Sequence, residues 1–258
     1  MDVVLFCGGR GTRLSEKTKE VPKPLVDIGD YPILWHIMKL VSHYGNNRFI
    51  LTLGYKGDLI KQWFMNYRYS GSFEFDLKNP VLPEHPEEWK IVFKNTGLNS
   101  GTGNRLKQVE KDIKSNQFML LYGDCLSDVN LTKLVAYHNE MVKKHGVLAT
   151  ITGFQPYSKY GHINHTEDGV ITSFSEKPKI KEWINIGFMV CEKGIFDYID
   201  EEQSLMWEQA PLVRLSKEGK LAMYKHEGIF HPMDTYKDYV EINSLWKSGN
   251  AQWKVWKD

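Results

Sequence analysis

An alternation that begins with the first residues restricts the fold more than any other feature. Short apolar runs stop at glycine, and between them lie longer stretches whose apolar residues recur at helical spacing. Val3 to Cys7 is continuously apolar and ends at Gly8-Gly9, the pattern of a strand covered on both faces that empties into a loop. From Tyr31 to His43, Ile33, Leu34, Ile37, Met38 and Val41 share one helical face. Phe49 to Leu53 then reads as a second strand ending at Gly54, and Asp58 to Tyr67 as a second helix. Repeated strand–helix units specify a parallel sheet, and 258 residues suffice to bury its core as one domain. The expectation is an α/β fold with a Rossmann-like mixed, mostly parallel sheet flanked by helices, a single domain over 1–258.

Ser70 to Trp89 breaks the alternation. With Pro80, Pro83 and Pro86 it follows neither period, and it reads as an irregular insertion over 70–90. The pattern resumes with Ile91 to Phe93, the turn-rich TGLNSGTGNR, a helix from Leu106 to Ile113, and a strand from Phe118 to Tyr122 running into Gly123-Asp124-Cys125. A helix over Leu131 to His145 follows, then strands near Val147 to Gly153, Gly169 to Phe174 and Trp183 to Cys191, and later an apolar segment from Gly228 to Asp234. Asn243 to Asp258, with Trp246, Trp253 and Trp256, reads as a tail packed on the body or on a neighbouring subunit.

Composition excludes several functions. Lys and Arg number 33 against 32 Asp and Glu, so bulk charge offers nothing to nucleic acid or to an acidic membrane, and any anion site must be local. The three cysteines, Cys7, Cys125 and Cys191, are far apart with no CxxC, which argues against a disulfide framework and a structural zinc site. No basic leader precedes the first apolar run and no stretch of about 18 apolar residues occurs, so a soluble cytoplasmic protein is expected.

Four groups of residues have chemistry to offer. Gly8-Gly-Arg-Gly-Thr-Arg-Leu14 follows a strand, so backbone N–H groups can approach a polyphosphate while Thr12 and Arg13 donate to its oxygens; a merely structural turn looks the same. Spacing removes two alternatives: a dinucleotide fingerprint from Gly9 needs glycine where Leu14 stands, and no GxxxxGK[ST] occurs. Lys23 lies between Pro22 and Pro24, whose fixed torsions can hold a cation in place, although a lone lysine is usually solvated. Asp124 and Asp234 each close an apolar stretch, as carboxylates at the carboxyl edge of a parallel sheet do. Two such groups can hold Mg²⁺ if phosphates and water complete its shell, or they can be ordinary turn or cap residues. Glu176-Lys177-Pro178 with Asn185 offers a carboxylate and an amide for hydroxyls and an ammonium for a phosphate.

Taken together, GGRGTRLSEKT, PKPLVDIG, TGLNSGTGNRLK, YGDC, FSEKPK, INIGF, PMDTYKD and WKVW, in that order, resemble the nucleotidyltransferases that activate sugar phosphates. The likeness is nearest to those using CTP and glucose 1-phosphate. The resemblance implies that Gly8, Gly9, Gly11, Thr12 and Arg13 wrap the triphosphate with Gly123, and that Lys23 contacts phosphates. It implies that Ser100, Gly103 and Arg105 read the base, that Asp124 and Asp234 bind Mg²⁺, and that Gly161, Glu176, Lys177 and Asn185 hold the acceptor. Arg13 and Lys23 would be the catalytic cations, and a homo-oligomer is implied. Three positions depart from the pattern: Cys125 and Ile186 replace glycines, and Asn104 stands at the end of a usual TGG. Ile186 either repacks the acceptor pocket or points away from it, and a different acceptor, such as another sugar 1-phosphate or phosphoglutamine, is the alternative. A catalytically silent nucleotide-binding subunit is a further one.

Overall fold

The computed structural model describes residues 1–68, 78, 85 and 87–257. β1 (Asp2–Cys7) leads through a short α1 (Ser15–Thr18) and the paired β2 (Asp27–Ile28) and β3 (Tyr31–Pro32) into α2 (Ile33–His43). Next come β4 (Arg48–Leu53), α3 (Gly57–Arg68), β5 (Lys90–Asn95), α4 (Thr102–Gln108), β6 (Gln117–Tyr122), β7 (Cys125–Ser127) and α5 (Leu131–His145). β8 (Ala149–Phe154), β9 (His162–His165), β10 (Ile171–Ser175) and β11 (Ile184–Glu192) follow. α6 (Ala210–Lys217), β12 (Leu221–His226), β13 (Phe230–Pro232) and α7 (Tyr236–Lys247) complete the chain.

Among the described residues, seven strands form one sheet in the order β12-β8-β11-β6-β1-β4-β5, in which β11 alone runs antiparallel to its neighbours. The expected mixed, mostly parallel sheet is therefore present. Val3, Leu5 and Cys7 of β1 point into one core and Val4 and Phe6 into the other, as period-2 alternation requires of a strand buried on both faces. Chain order climbs from β1 outward to β4 and β5, then returns to β6 on the other side of β1. Beyond the carboxyl ends of β1 and β6 lies the switch point where open α/β sheets bind ligands.

Several boundaries differ from expectation, each for a physical reason. The helix expected from Tyr31 begins at Ile33, because Pro32 is extended (φ −67°, ψ 154°) and Tyr31–Pro32 pairs with Asp27–Ile28. The helix expected from Leu106 to Ile113 runs instead over Thr102–Gln108. Its first turn is held from outside, with the N–H groups of Gly101, Gly103 and Asn104 donating to the carbonyls of Gln203 and Leu205 at 2.8 to 3.2 Å. The segment closing at Asp234 does not join the large sheet; β13 pairs antiparallel with β7 as a separate ribbon. The irregular insertion expected over 70–90 lies outside the described residues apart from 78, 85 and 87–90.

The C-terminal tail is helical as far as Lys247, then turns back onto α2 of the same chain. There Trp246 stands 4.5 Å from the ring of His36, and Trp253 is fully buried. Among the described residues, no helix is long and apolar enough to cross a membrane.

Candidate active site

The loop after β1 is held from behind. Gly11 adopts a left-handed conformation (φ +62°), and a Cβ there would sit 2.9 Å from Thr18 Cγ2 and 3.1 Å from Lys23 Cβ, so glycine is required both for torsion and for space. Thr18 Oγ1 bridges the carbonyls of Gly11 and Leu14 at 3.0 Å each. A Cβ on Gly8 would strike the guanidinium of Arg105, which donates to the Gly8 carbonyl at 3.2 Å, the Leu53 carbonyl at 3.2 Å and Thr96 Oγ1 at 2.6 Å. Arg105 is buried and keyed to backbone carbonyls, so its charge fixes the ends of β1 and β4 while one face still borders the cavity beside the loop.

Opposite the loop stands a charge cluster. Pro22 is extended and Lys23–Leu25 form a 3-10 turn, which projects Lys23 inward although its backbone lies among apolar residues. Lys23 Nζ lies 2.7 Å from Asp124 Oδ2 and 2.7 Å from Asp234 Oδ1, and Arg13 reaches Asp234 Oδ2 at 2.9 Å. Burial works against the Lys23 charge, but attraction and hydrogen bonds from Asp124 and Asp234 outweigh it, and the ammonium titrates above its ordinary range. The Met233 N–H donates to the Asp124 carbonyl at 3.0 Å. Asp238, in a capping box with Thr235, accepts from the N–H of Asp234 at 3.1 Å, so the aspartates are aligned through backbone before any ligand arrives. Cys125 Sγ donates to Asp124 Oδ1 at 3.1 Å, a bond glycine cannot make. Burial and the nearby Asp124 push this thiol well above the usual range, so it stays protonated.

Two cavities open here. One, of about 260 Å³, is lined by Gly9, Gly11, Thr12, Arg13, Lys23 and Asp124 among others, and also by Gly123. The second, of about 390 Å³, is bounded by Gly8, Gly9, Ser100 and Arg105 among others. Gly103 borders neither; its N–H is spent on Leu205. The structure thus brings together most of the expected nucleotide residues and both aspartates. Gly161, Glu176 and Lys177 gather separately: Lys177 Nζ lies 3.8 Å from Glu176 Oε1, and a Cβ on Gly161 would meet Glu176 Oε2 at 3.1 Å. These three residues and Asn185 border neither cavity, and the Asn185 side chain accepts from the Gly187 N–H at 3.0 Å. Ile186 is 2% exposed and belongs to the core against the α2 face, so its side chain points into the protein interior. Asn104 accepts from Gln108 Nε2 at 2.6 Å, one turn along its own helix.

The profile of the nucleotidyl transferase family matches residues 2–252. The chain belongs to this family. A probable glucose-1-phosphate cytidylyltransferase of Bacillus subtilis is 42% identical over 99% of this chain and all of its own length. The glucose-1-phosphate cytidylyltransferase of Salmonella typhi is 40% identical over the whole of both. Among solved structures, HddC from Yersinia pseudotuberculosis superposes with a TM-score of 0.69 at 25% identity, over 95% of this chain and 99% of that one. As a nucleotidyl transferase, the chain is an enzyme of nucleotidyl transfer, and its glycine-rich loop, Lys23 and the two aspartates stand at the sheet's switch point.

Glu208 lies in none of the quoted motifs, whereas Thr102, Tyr122 and Asp238 stand inside TGLNSGTGNRLK, YGDC and PMDTYKD without a role of their own, and only folding brings these four residues to the site; the Asp238 cap is readable as Thr235-x-x-Asp before an amphipathic run.

The donor set fits a hard divalent cation. Two carboxylate oxygens converge on one ammonium, and carboxylate oxygens are ligands of the kind Mg²⁺ takes; among the described residues no group of three or more His, Cys, Asp or Glu is placed to hold a metal ion without further ligands. A cation here would take the remainder of its shell from nucleotide and water, with Lys23 moving onto phosphate.

Proposed function

We propose that the chain catalyses Mg²⁺-dependent transfer of the cytidylyl group of CTP to α-D-glucose 1-phosphate, forming CDP-glucose and pyrophosphate for surface polysaccharide sugar biosynthesis. The observation that carries this reading is the convergence of Arg13, Lys23, Asp124 and Asp234 at a glycine-rich loop on the sheet's switch point. The full-length cytidylyltransferase relatives support the choice of base and acceptor.

An oxygen of the acceptor phosphate attacks the α-phosphorus in line. The bond to the bridging oxygen breaks, and its electron pair leaves with pyrophosphate. No general base is needed, because that phosphate is already largely dianionic near neutral pH. Catalysis is then positioning and charge neutralisation: backbone N–H groups of Gly8 to Thr12 cradle the triphosphate, and Arg13 and Lys23 offset charge as it moves to the leaving group. Mg²⁺ held by Asp124 and Asp234 would supply Lewis-acid neutralisation of phosphate oxygens. Ser100 and Arg105 border the base cavity. Gly161, Glu176, Lys177 and Asn185 are assigned to the acceptor.

The exposed β9–β10 hairpin, with Ile163 53%, Ile171 58% and Phe174 65% exposed, supports a homo-oligomer in which this apolar surface is covered. A cytoplasmic location fits substrates of this kind. The inward orientation of Ile186 removes one of the two sequence motives for a different acceptor and leaves Cys125, beside Asp124, as the other. Pyrophosphate release with CTP, UTP, dTTP or ATP against glucose 1-phosphate and other phosphorylated acceptors tests the reading. Release with CTP and glucose 1-phosphate is expected; preference for another pair relocates the substrate, and no release with any pair overturns the enzymatic proposal.

A further inference from the structure

Phe6, Gly9 and Thr102 border both cavities, so they mark the seam between the chamber of the phosphate and carboxylate groups and the chamber expected to take the base. Of these three, Thr102 alone brings a side-chain hydroxyl. Its bonding is unusually determined. Thr102 Oγ1 lies 2.6 Å from Glu208 Oε2 and 4.0 Å from Met206 Sδ, so its proton goes to the nearer, charged acceptor, and it accepts from the Trp207 N–H at 2.9 Å. The other carboxylate oxygen of Glu208 accepts from Tyr122 OH. A hydroxyl carries one proton and two lone pairs, so with the proton given to Glu208 and one lone pair to Trp207, what remains is a single acceptor site. An ionised carboxylate cannot return a proton, so this polarity is imposed. The seam therefore offers a ligand an oxygen that can accept and cannot donate, with negative charge behind it.

That combination selects among the parts of a nucleoside triphosphate. Phosphate oxygens are acceptors and anionic, so they are turned away toward Arg13 and Lys23. The group between the phosphates and the base is the ribose, and its hydroxyls are donors; the cytosine amino group is a donor as well, but it belongs to the chamber expected to take the base rather than to the seam.

We infer that Thr102 reads a ribose hydroxyl of the incoming nucleotide and that Glu208 is the positioning residue that fixes the Thr102 hydroxyl as an acceptor. The inference rests on the nucleotidyl-transfer reading and adds a specificity: the enzyme distinguishes ribonucleotides from their deoxy counterparts. Glu208 also ties α4 to Tyr122, two residues before Asp124, so ribose placement and the aspartate strand share one carboxylate.

The test is calorimetric binding of CTP, 2′-deoxy-CTP and 3′-deoxy-CTP with Mg²⁺, without acceptor, to the wild-type chain and to T102V, T102S and E208Q. The wild type is expected to bind CTP about tenfold more tightly than at least one deoxy analogue, the worth of one hydrogen bond to a fixed acceptor. T102V should bring that ratio near one, T102S should restore it, and E208Q, which puts an amide donor against one of the two hydroxyls, should reduce it. A merely structural role would shift all three affinities together and leave the ratio intact. Equal wild-type affinity for the three nucleotides, or an undiminished ratio in T102V, overturns the inference. Absence of binding by CTP, UTP, dTTP and ATP alike overturns the proposed function itself and is told apart by that pattern.

Discussion

At Lys23 two opposing forces meet. Burial favours the neutral amine, while Asp124 and Asp234 favour the ammonium, and the carboxylates prevail because both lie at hydrogen-bond distance. A cation so placed keeps two aspartates close together before a nucleotide arrives and can then serve the phosphates. Lys23→Ala is expected to lower pyrophosphate release by about 10²- to 10³-fold, the usual cost of removing one preorganised charge from a transferring group. Circular dichroism should stay unchanged, since Pro22 and Pro24 set the turn. Turnover within a few-fold of wild type would remove Lys23 from the catalytic set. The residue's placement was half legible in the sequence: the flanking prolines marked a fixed backbone, but its partners stand 101 and 211 residues away.

At the scale of elements, buried charges tie strand ends to loops. Arg105 joins α4 to the ends of β1 and β4, and its removal leaves the carbonyls of Gly8 and Leu53 without that donor. Arg105→Met should raise the KM for the nucleoside triphosphate more than it lowers kcat, because it loosens the loop that binds before the step that reacts. An unaltered KM would refute that link. Asp2 does similar work at the other end of β1, accepting from Arg48 at 2.7 Å and from the N–H groups of Lys114 and Ser115 at 2.5 and 3.0 Å. Burial alone would raise its pKa, but the Ser115 N–H, Arg48 and the Lys114 N–H outweigh burial and hold it below 3.8. The unfolded chain therefore takes up this proton first as the pH falls. The stabilisation is whole above about pH 4 and is lost as the pH drops through the lower folded-state value. Asp2→Asn should cost about 1.5–3 kcal/mol in urea unfolding at pH 7, with the gap to wild type narrowing below pH 4. A gap independent of pH would show that the charge of Asp2 contributes nothing.

Over the whole molecule, the C-terminal tail closes the hydrophobic core against α2. His36, fully buried there, donates from Nε2 to the Ile28 carbonyl at 2.9 Å, with Trp246 edge-on at 4.5 Å. A carbonyl can only accept, so Nε2 carries a proton, and burial disfavours a second one on Nδ1. Burial pushes its pKa down to about 4, and the bond to Ile28 recovers only part of the shift. Between about pH 6.5 and 4 the unfolded chain binds a proton that the folded chain refuses, so stability should fall by up to about 3 kcal/mol as the pH drops across that window. His36→Phe should flatten this slope in thermal or urea unfolding while leaving the Asp2 effect below pH 4 in place. An unchanged slope would place the acid sensitivity elsewhere.

The sequence by itself determined the α/β class, most strands of the large sheet, the glycine-rich loop after β1 and the placement of the two aspartates at strand ends. Those depend on local properties, namely apolar period, glycine at a strand end, and carboxylates where apolar runs stop. The tertiary structure alone decided that β13 leaves the sheet to pair with β7, that α4 starts at Thr102 on carbonyls from residues 203 and 205, and that Ile186 faces the core. It also decided that Glu208 stands behind Thr102. Each of these is a pairing between groups distant along the chain, and side-chain period records which face of an element is buried without recording what it is buried against.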